Sequence, residues 1–183
     1  MRADARKNRD HLLATAKALF LEQGLEASLR DVARRAEVGM GTLYRHFPTR
    51  EALLEALLRA EFEALALSAE SLERAENPDA GLIQWLEEII EFTYRHRGII
   101  APMMGAIEDE HSALHASCVA LRAAGARLLS RAQQAGSARL DMNGEELFDL
   151  IAALAWLREQ PAHASRAKRV FEIVTDAVLT RRA

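Results

Sequence analysis

The sequence predicts an all-α protein, with an N-terminal three-helix helix-turn-helix module followed by a larger C-terminal helical domain. Three observations predict the helical architecture. Apolar residues recur at steps of three and four along the 183-residue chain, no segment alternates as a strand does, and a Gly-containing turn links two short helices within the first 50 residues. Half of the residues are apolar, 5% are aromatic and 28% are charged, the balance of a globular chain.

The elements follow in order. Leu12, Leu13, Ala16, Leu19 and Phe20 form one apolar stripe, which predicts a first helix over about 8–23. Gly24 ends it, because a left-handed residue without a Cβ closes a helix at little cost. Ser28 stands as an N-cap with Asp31 three residues on, and Val32, Ala33 and Ala36 face inward on a short second helix. Glu37-Val38-Gly39 is a tight link, and 40–47 is a third helix stopped by Pro48. Thr49 caps a fourth, which Leu53, Leu54, Leu57, Leu58, Phe62 and Leu65 carry to about residue 75. Beyond Asn77-Pro78, Leu82, Trp85, Leu86, Ile89, Ile90 and Phe92 set a fifth helix that Gly98 is expected to end. Pro102 permits only a short helix near 103–107. One continuous helix over about 108–134 follows, with Gly136 as its stop. The last two helices, about 143–159 and 163–181, are joined by Gln160-Pro161-Ala162 and should form an antiparallel hairpin.

Cys118 is the single cysteine, which excludes an intramolecular disulfide and any multi-cysteine zinc or iron–sulfur site and predicts a reducing compartment. The first ten residues have no apolar core, and no run of about 18 uncharged apolar residues exists. The expectation is a cytoplasmic chain without a membrane partner. Residues 1–60 hold 11 Lys/Arg against 8 Asp/Glu, and 61–183 hold 13 against 19, so a +3 module sits on a −6 body. Only the first part is suited to a polyanion.

A helix-turn-helix lays its second member in the DNA major groove, which is roughly 12 Å wide and takes one helix. Gly39, Gly41 and Thr42 keep the approaching surface small. Ser28, Arg30, Tyr44, His46 and Arg50 supply hydroxyls and cations for phosphates at the rim. Leu43, Phe47, Val32 and Val38 are expected in the core, and Arg34 and Arg35 on a solvated face. Arg2, Arg6, Lys7 and Arg9 form either a basic arm or a frayed terminus.

Over about residues 8–58 the chain resembles the TetR family of one-component bacterial regulators. Ser28-Leu29-Arg30-Asp31-Val32-Ala33, Val38-Gly39-Met40-Gly41-Thr42-Leu43-Tyr44-Arg45-His46-Phe47 and Arg50-Glu51-Ala52-Leu53-Leu54 carry the resemblance in unbroken register. It implies a DNA-binding domain over 1–50, with its motif at about 28–47, and a ligand-binding and dimerisation domain over 51–183. It further implies that Tyr44, His46 and Arg50 hold phosphates, while Met40, Gly41, Thr42 and Arg45 face or flank bases. Ser28 replaces the family's commoner Thr, and Gly39 its commoner Ser, so Gly39 brings no side-chain contact.

Apolar character spreads around most of both terminal helices, more than one subunit can cover. Leu147, Leu150, Ile151, Leu154 and Leu157 on one, and Val170, Ile173, Val174, Ala177 and Val178 on the other, are the expected contacts of a homodimeric four-helix bundle. Such a dimer would present two recognition helices about 34 Å apart to a nearly palindromic double-stranded DNA operator.

The effector site is assigned by elimination and by the resemblance. Trp85, Ile89, Phe92, Met103, Met104, Ile107, Leu114, Cys118, Leu121 and Trp156 are its expected apolar lining, with Thr93, His111, His115 and Arg122 as polar anchors for a small, partly apolar molecule. A competing reading puts Glu108, His111, His115 and Cys118 on one helical face as metal ligands, which would make the protein a metal sensor. Another is a helical interaction protein without sequence-specific DNA binding. No glycine-rich phosphate loop, nucleophile elbow or His-Glu-x-x-His pair is present, so neither an enzyme nor a bound cofactor is expected.

Overall fold

Helix α1 spans Arg2–Gln23, α2 Leu29–Arg35, α3 Met40–His46 and α4 Arg50–Leu72. The remaining helices are α5 Pro78–Ile100, α6 Met104–Glu108, α7 Ala113–Gln134, α8 Gly144–Glu159 and α9 Ala167–Val178. These come from a computed structural model that describes residues 2–180, the side chains of residues 2–5 and 25 excepted. Among the described residues the only extended pairing is one antiparallel bridge between Ala138 and Leu179, and no helix is long and apolar enough to cross a membrane.

The chain divides into two units. The first holds the chain through Glu61 together with His96–His115; the second holds Phe62–Arg95 and the chain from Ala116 on. In the first, Leu12, Ala16, Leu19 and Phe20 of α1 are buried with Val32, Leu43, Phe47, Leu53 and Leu57. In the second, Trp85, Leu86 and Ile89 of α5 are buried with Leu121, Leu128, Leu147 and Ile151.

The local stop signals act as expected where they match a left-handed closure. Gly24 and Gly136 take φ of 62° and 72° behind α1 and α7. The link between α2 and α3 turns on Glu37, at φ 56°, and not on Gly39, which is extended. Side chains in that region are disfavoured relative to glycine.

Several boundaries differ from the sequence reading. Helix α1 starts at Arg2 and not near residue 8, so Arg6, Lys7 and Arg9 belong to a helix. The side chain of Arg2 lies outside the described residues. Gly98 does not end α5, which continues to Ile100 because Ile99 is buried beyond it. The expected single helix over 108–134 is two, separated by a turn. There Asp109 Oδ1 accepts from the His111 backbone N–H at 3.0 Å, and Ser112 Oγ accepts from that of His115 at 2.9 Å, capping α7. The link between α8 and α9 includes a further short 3₁₀ turn, Ala164–Arg166, and α9 ends at Val178; the expected end at 181 lies outside the described residues.

Candidate nucleic-acid interface

Helix α2 is held by its first turn. Ser28 Oγ accepts from the Asp31 backbone N–H at 3.1 Å, and the Asp31 carboxylate accepts from the Ser28 backbone N–H at 3.2 Å and from Ser28 Oγ at 2.5 Å. This is the full reciprocal cap. Arg34 donates to Asp31 Oδ1 at 2.8 Å, and Arg35 clasps Glu22 of α1 through Nη1 and Nη2, so Arg35 ties α2 to α1. The Ser28 hydroxyl is therefore committed to the cap, whereas Arg30 is exposed.

The Ser28 hydroxyl and backbone bonds hold the Asp31 carboxyl below the usual aspartate range. A folded value below the unfolded one means the cap stabilises fully above the unfolded pKa and is lost as pH falls through the folded one. Asp31→Asn should therefore lower Tm at neutral pH. The gap between wild type and variant should close below about pH 4; a gap constant from pH 7 to 2.5 would refute the assignment.

Helix α3, the expected recognition helix, is anchored by Leu43 and by Phe47 just behind it, both buried. That fixes its outward surface. Gly41, Tyr44 and Arg45 are exposed, Tyr44 by 48%, and Met40, Thr42 and His46 are half-buried. Arg45 Nη2 donates to Thr42 Oγ1 at 3.1 Å. Val38 is half-buried, while Val32, Leu43 and Phe47 are core.

Arg50, the expected phosphate holder, also has partners within its own unit. Its Nη1 donates to the Ala27 carbonyl at 2.8 Å and its guanidinium lies 5.4 Å from the centre of the Phe20 ring. It thus joins the start of α4 to the end of the segment after α1, with Thr49 Oγ1 capping α4 through the Ala52 backbone N–H. Arg9, expected in a basic arm or a frayed terminus, sits over the Phe47 ring at 5.5 Å. The spacing of 38 residues between them gives no local signal.

The expected effector residues fall in both units. In the second, Trp85 is fully buried, donates from Nε1 to the Leu65 carbonyl at 3.0 Å and meets Phe148 edge-on at 5.9 Å. Ile89, Phe92 and Leu121 are also buried, Thr93 bonds the Ile89 carbonyl of its own helix, and Arg122 lies over Phe148. Cys118 is half-buried, and Trp156 is 58% exposed. In the first unit Met103 and Leu114 are buried and Ile107 is half-buried, while Met104 and His111 are exposed; His115 Nδ1 lies 2.8 Å from the Ile107 carbonyl.

A cleft of about 450 Å³ opens in the second unit, lined by none of the residues expected at the effector site. Ile90, Leu154 and Phe171 give it an apolar floor, and Glu87, Glu91, Arg158 and Lys168 a charged margin. Arg158 bonds Glu91 at 2.6 Å and lies 4.6 Å from the centre of the Tyr94 ring. The i, i+3/i+4 recurrence of Glu87, Ile90, Glu91 and Tyr94 on one helix was the available signal.

The metal reading is corrected. Glu108 ends α6 and His111 lies in the turn, so Glu108, His111, His115 and Cys118 do not share one helical face. Among the described residues no group of three His, Cys, Asp or Glu side chains is gathered to hold a metal.

On the terminal hairpin, Leu147, Ile151, Leu154 and Val178 are buried within the subunit, which withdraws them from any outward face. Leu150, Leu157, Val170 and Val174 are half-buried; Ile173, 52% exposed, and Ala177 face outward.

The comparisons with known proteins agree with this architecture. The family described as "Bacterial regulatory proteins, tetR family" matches residues 12–57, and "Transcriptional regulator SbtR-like, C-terminal domain" matches residues 77–178. An HTH-type transcriptional regulator of Staphylococcus aureus is 28% identical over 102 residues, 55% of either chain. Another from that species is 38% identical over 64 residues, 34% of this chain and 35% of that protein. The chain thus spans about half the length, or less, of these curated relatives. Among solved structures, a TetR transcriptional regulator from Streptomyces coelicolor is similar at 32% identity and a TM-score of 0.76, over 95% of this chain and 99% of that one. A TetR transcription regulatory protein from Mycobacterium vanbaalenii is similar at 28% identity and a TM-score of 0.73, over 98% and 99%. With both its N-terminal and C-terminal parts matched, the chain belongs to the TetR family of helix-turn-helix transcriptional regulators, which are transcription factors and not enzymes.

Proposed function

We propose that the protein is a cytoplasmic, homodimeric repressor that holds a nearly palindromic operator through two copies of α3 and releases it when a small, partly apolar effector binds. The observation that carries the dimer is the pair Trp156 and Ile173, large apolar side chains more than half exposed on the α8–α9 hairpin. Neither is solvated without loss, and pairing with a twofold copy of the hairpin would cover them. The exposed Gly41, Tyr44 and Arg45 surface of α3 supports DNA contact, with Met40, Thr42 and His46 at its margin. Division of the work between a DNA-binding N-terminal part and an effector-binding, dimerising remainder accords with the two matched family regions.

For the effector, the second unit's cleft offers what a partly apolar molecule with a polar end requires, a floor of Ile90, Leu154 and Phe171 beside Arg158 and Lys168. Its walls include α8 and α9, the same helices we assign to the dimer. A ligand that favours one spacing of the hairpins therefore shifts the dimer's population and, by linkage, its operator affinity.

Selection of tight-binding duplexes from a random DNA pool by the purified protein, at stated salt, tests this reading. We expect an enriched sequence with two inverted half-sites, each bound by one subunit. Enrichment of a single half-site would overturn the dimer, and binding of all sequences alike would leave a helical interaction protein.

A further inference from the structure

Gly41 is exposed on α3, and a Cβ built there meets no heavy atom within 4 Å. Its φ does not lie in the left-handed region. Neither packing nor backbone conformation within the subunit therefore calls for glycine at this position, although glycine is the weaker helix former beside alanine. The surface of α3 at Gly41 is thus open, and the missing side chain lets another body approach that side of the helix closely.

Arg45 lies four residues beyond Gly41 and three beyond Thr42, the two neighbour spacings of a helix surface, so it adjoins both. Arg45 is exposed, and no carboxylate among the described residues pairs with it. Its Nη2 donates to Thr42 Oγ1 at 3.1 Å, which holds the guanidinium beside Thr42 on α3. A guanidinium has five N–H donors, so four stay available. In the major groove only guanine offers two adjacent acceptors, O6 and N7, to such a fork; adenine and cytosine each present a donor, and thymine a single acceptor.

We propose that Gly41, Thr42 and Arg45 form one reading strip that selects a guanine in each operator half-site. Gly41 sets how closely α3 approaches the base edges, and Thr42 is a positioning residue that holds the Arg45 fork. The inference rests on the regulator reading above.

The test uses the full-length protein and the duplex recovered from the random pool. Changing one guanine of a half-site to adenine should weaken wild-type binding about 5- to 150-fold, the range of one bidentate pair. Arg45→Ala should erase the preference at that position while leaving discrimination at the other positions intact. Thr42→Val should reduce the same preference and Thr42→Ser restore it, a rescue that a merely structural role would not give. Gly41→Ala should leave Tm unchanged or raise it, by up to about 4 °C, yet lower operator affinity at least tenfold. An enriched palindrome whose guanines are indifferent to Arg45→Ala, or a uniform loss on every duplex as from a phosphate contact, overturns this inference alone. Full operator affinity in Gly41→Ala overturns the close approach. No enriched sequence at all overturns the regulator reading, and this one with it.

Discussion

Trp85→Ala should be the most damaging single truncation in the second unit, lowering the free energy of unfolding by about 3–5 kcal/mol. The indole is fully buried, its N–H is satisfied by the Leu65 carbonyl, and its ring meets Phe148 edge-on. Removing it opens a void the size of an indole and leaves the Leu65 carbonyl without that donor. The packing around it is also tight on the other side. A Cβ on Gly125 of α7 would stand 2.3 Å and 2.6 Å from two atoms of the Trp85 ring and 3.2 Å from Phe148. Gly125→Ala should therefore destabilise by about 1–3 kcal/mol even though alanine is the better helix former. Two substitutions of opposite sense, one emptying and one overfilling the same space, should both lower the urea midpoint with little change in slope. If Trp85→Ala left the midpoint unchanged, the indole would be lining an adaptable cavity, as its sequence context first suggested, and not supporting the core.

That difference marks where sequence reading stops. The first four helices were legible because their signals are local. Gly24 supplies the left-handed closure, Ser28 with Asp31 the reciprocal cap, and Thr49 the cap of α4. The break between α6 and α7 was also written locally, in the Asp109 and Ser112 side chains that bond backbone N–H groups two and three residues on. The three- and four-residue spacing of Glu108, His111, His115 and Cys118 hid it, because a helix-period recurrence can run across a short turn. Gly98 failed as a stop for the opposite reason: burial of Ile99 extends α5 past a residue that locally favours an end.

Side-chain duties set by distant partners were not legible at all. Arg50 has a phosphate holder's sequence position, yet its guanidinium bonds a carbonyl 23 residues away. Trp156 reads as pocket lining by composition and is exposed, whereas Leu147, Ile151, Leu154 and Val178 read as outward contacts and are buried. An apolar residue on a broadly apolar helix announces burial but not against what. Only the packing of α8 against α9 decides which stripe of each helix is left over for a partner.

That leftover stripe yields the largest functional effect. Ile173→Asp, and separately Trp156→Asp, should each convert the proposed dimer to a monomer in sedimentation at micromolar protein. Both side chains are more than half exposed in the subunit, so the charge is solvated in the monomer and leaves its helix content unchanged by circular dichroism. Across a twofold axis the same carboxylate meets either its own copy or apolar surface, and burying it there unpaired is strongly unfavourable. Operator affinity should then fall by about 10²–10⁴-fold, since the second half-site is no longer engaged at high effective concentration. Binding to an isolated half-site should stay as it was, which separates lost bivalency from a damaged α3. Leu67→Asp is the control, since Leu67 is 64% exposed on α4 and lies outside the hairpin. It should keep both the dimer and the operator affinity. If Ile173→Asp and Trp156→Asp behaved as Leu67→Asp does, the hairpin would not be the dimer face, and the exposed apolar pair would need another partner.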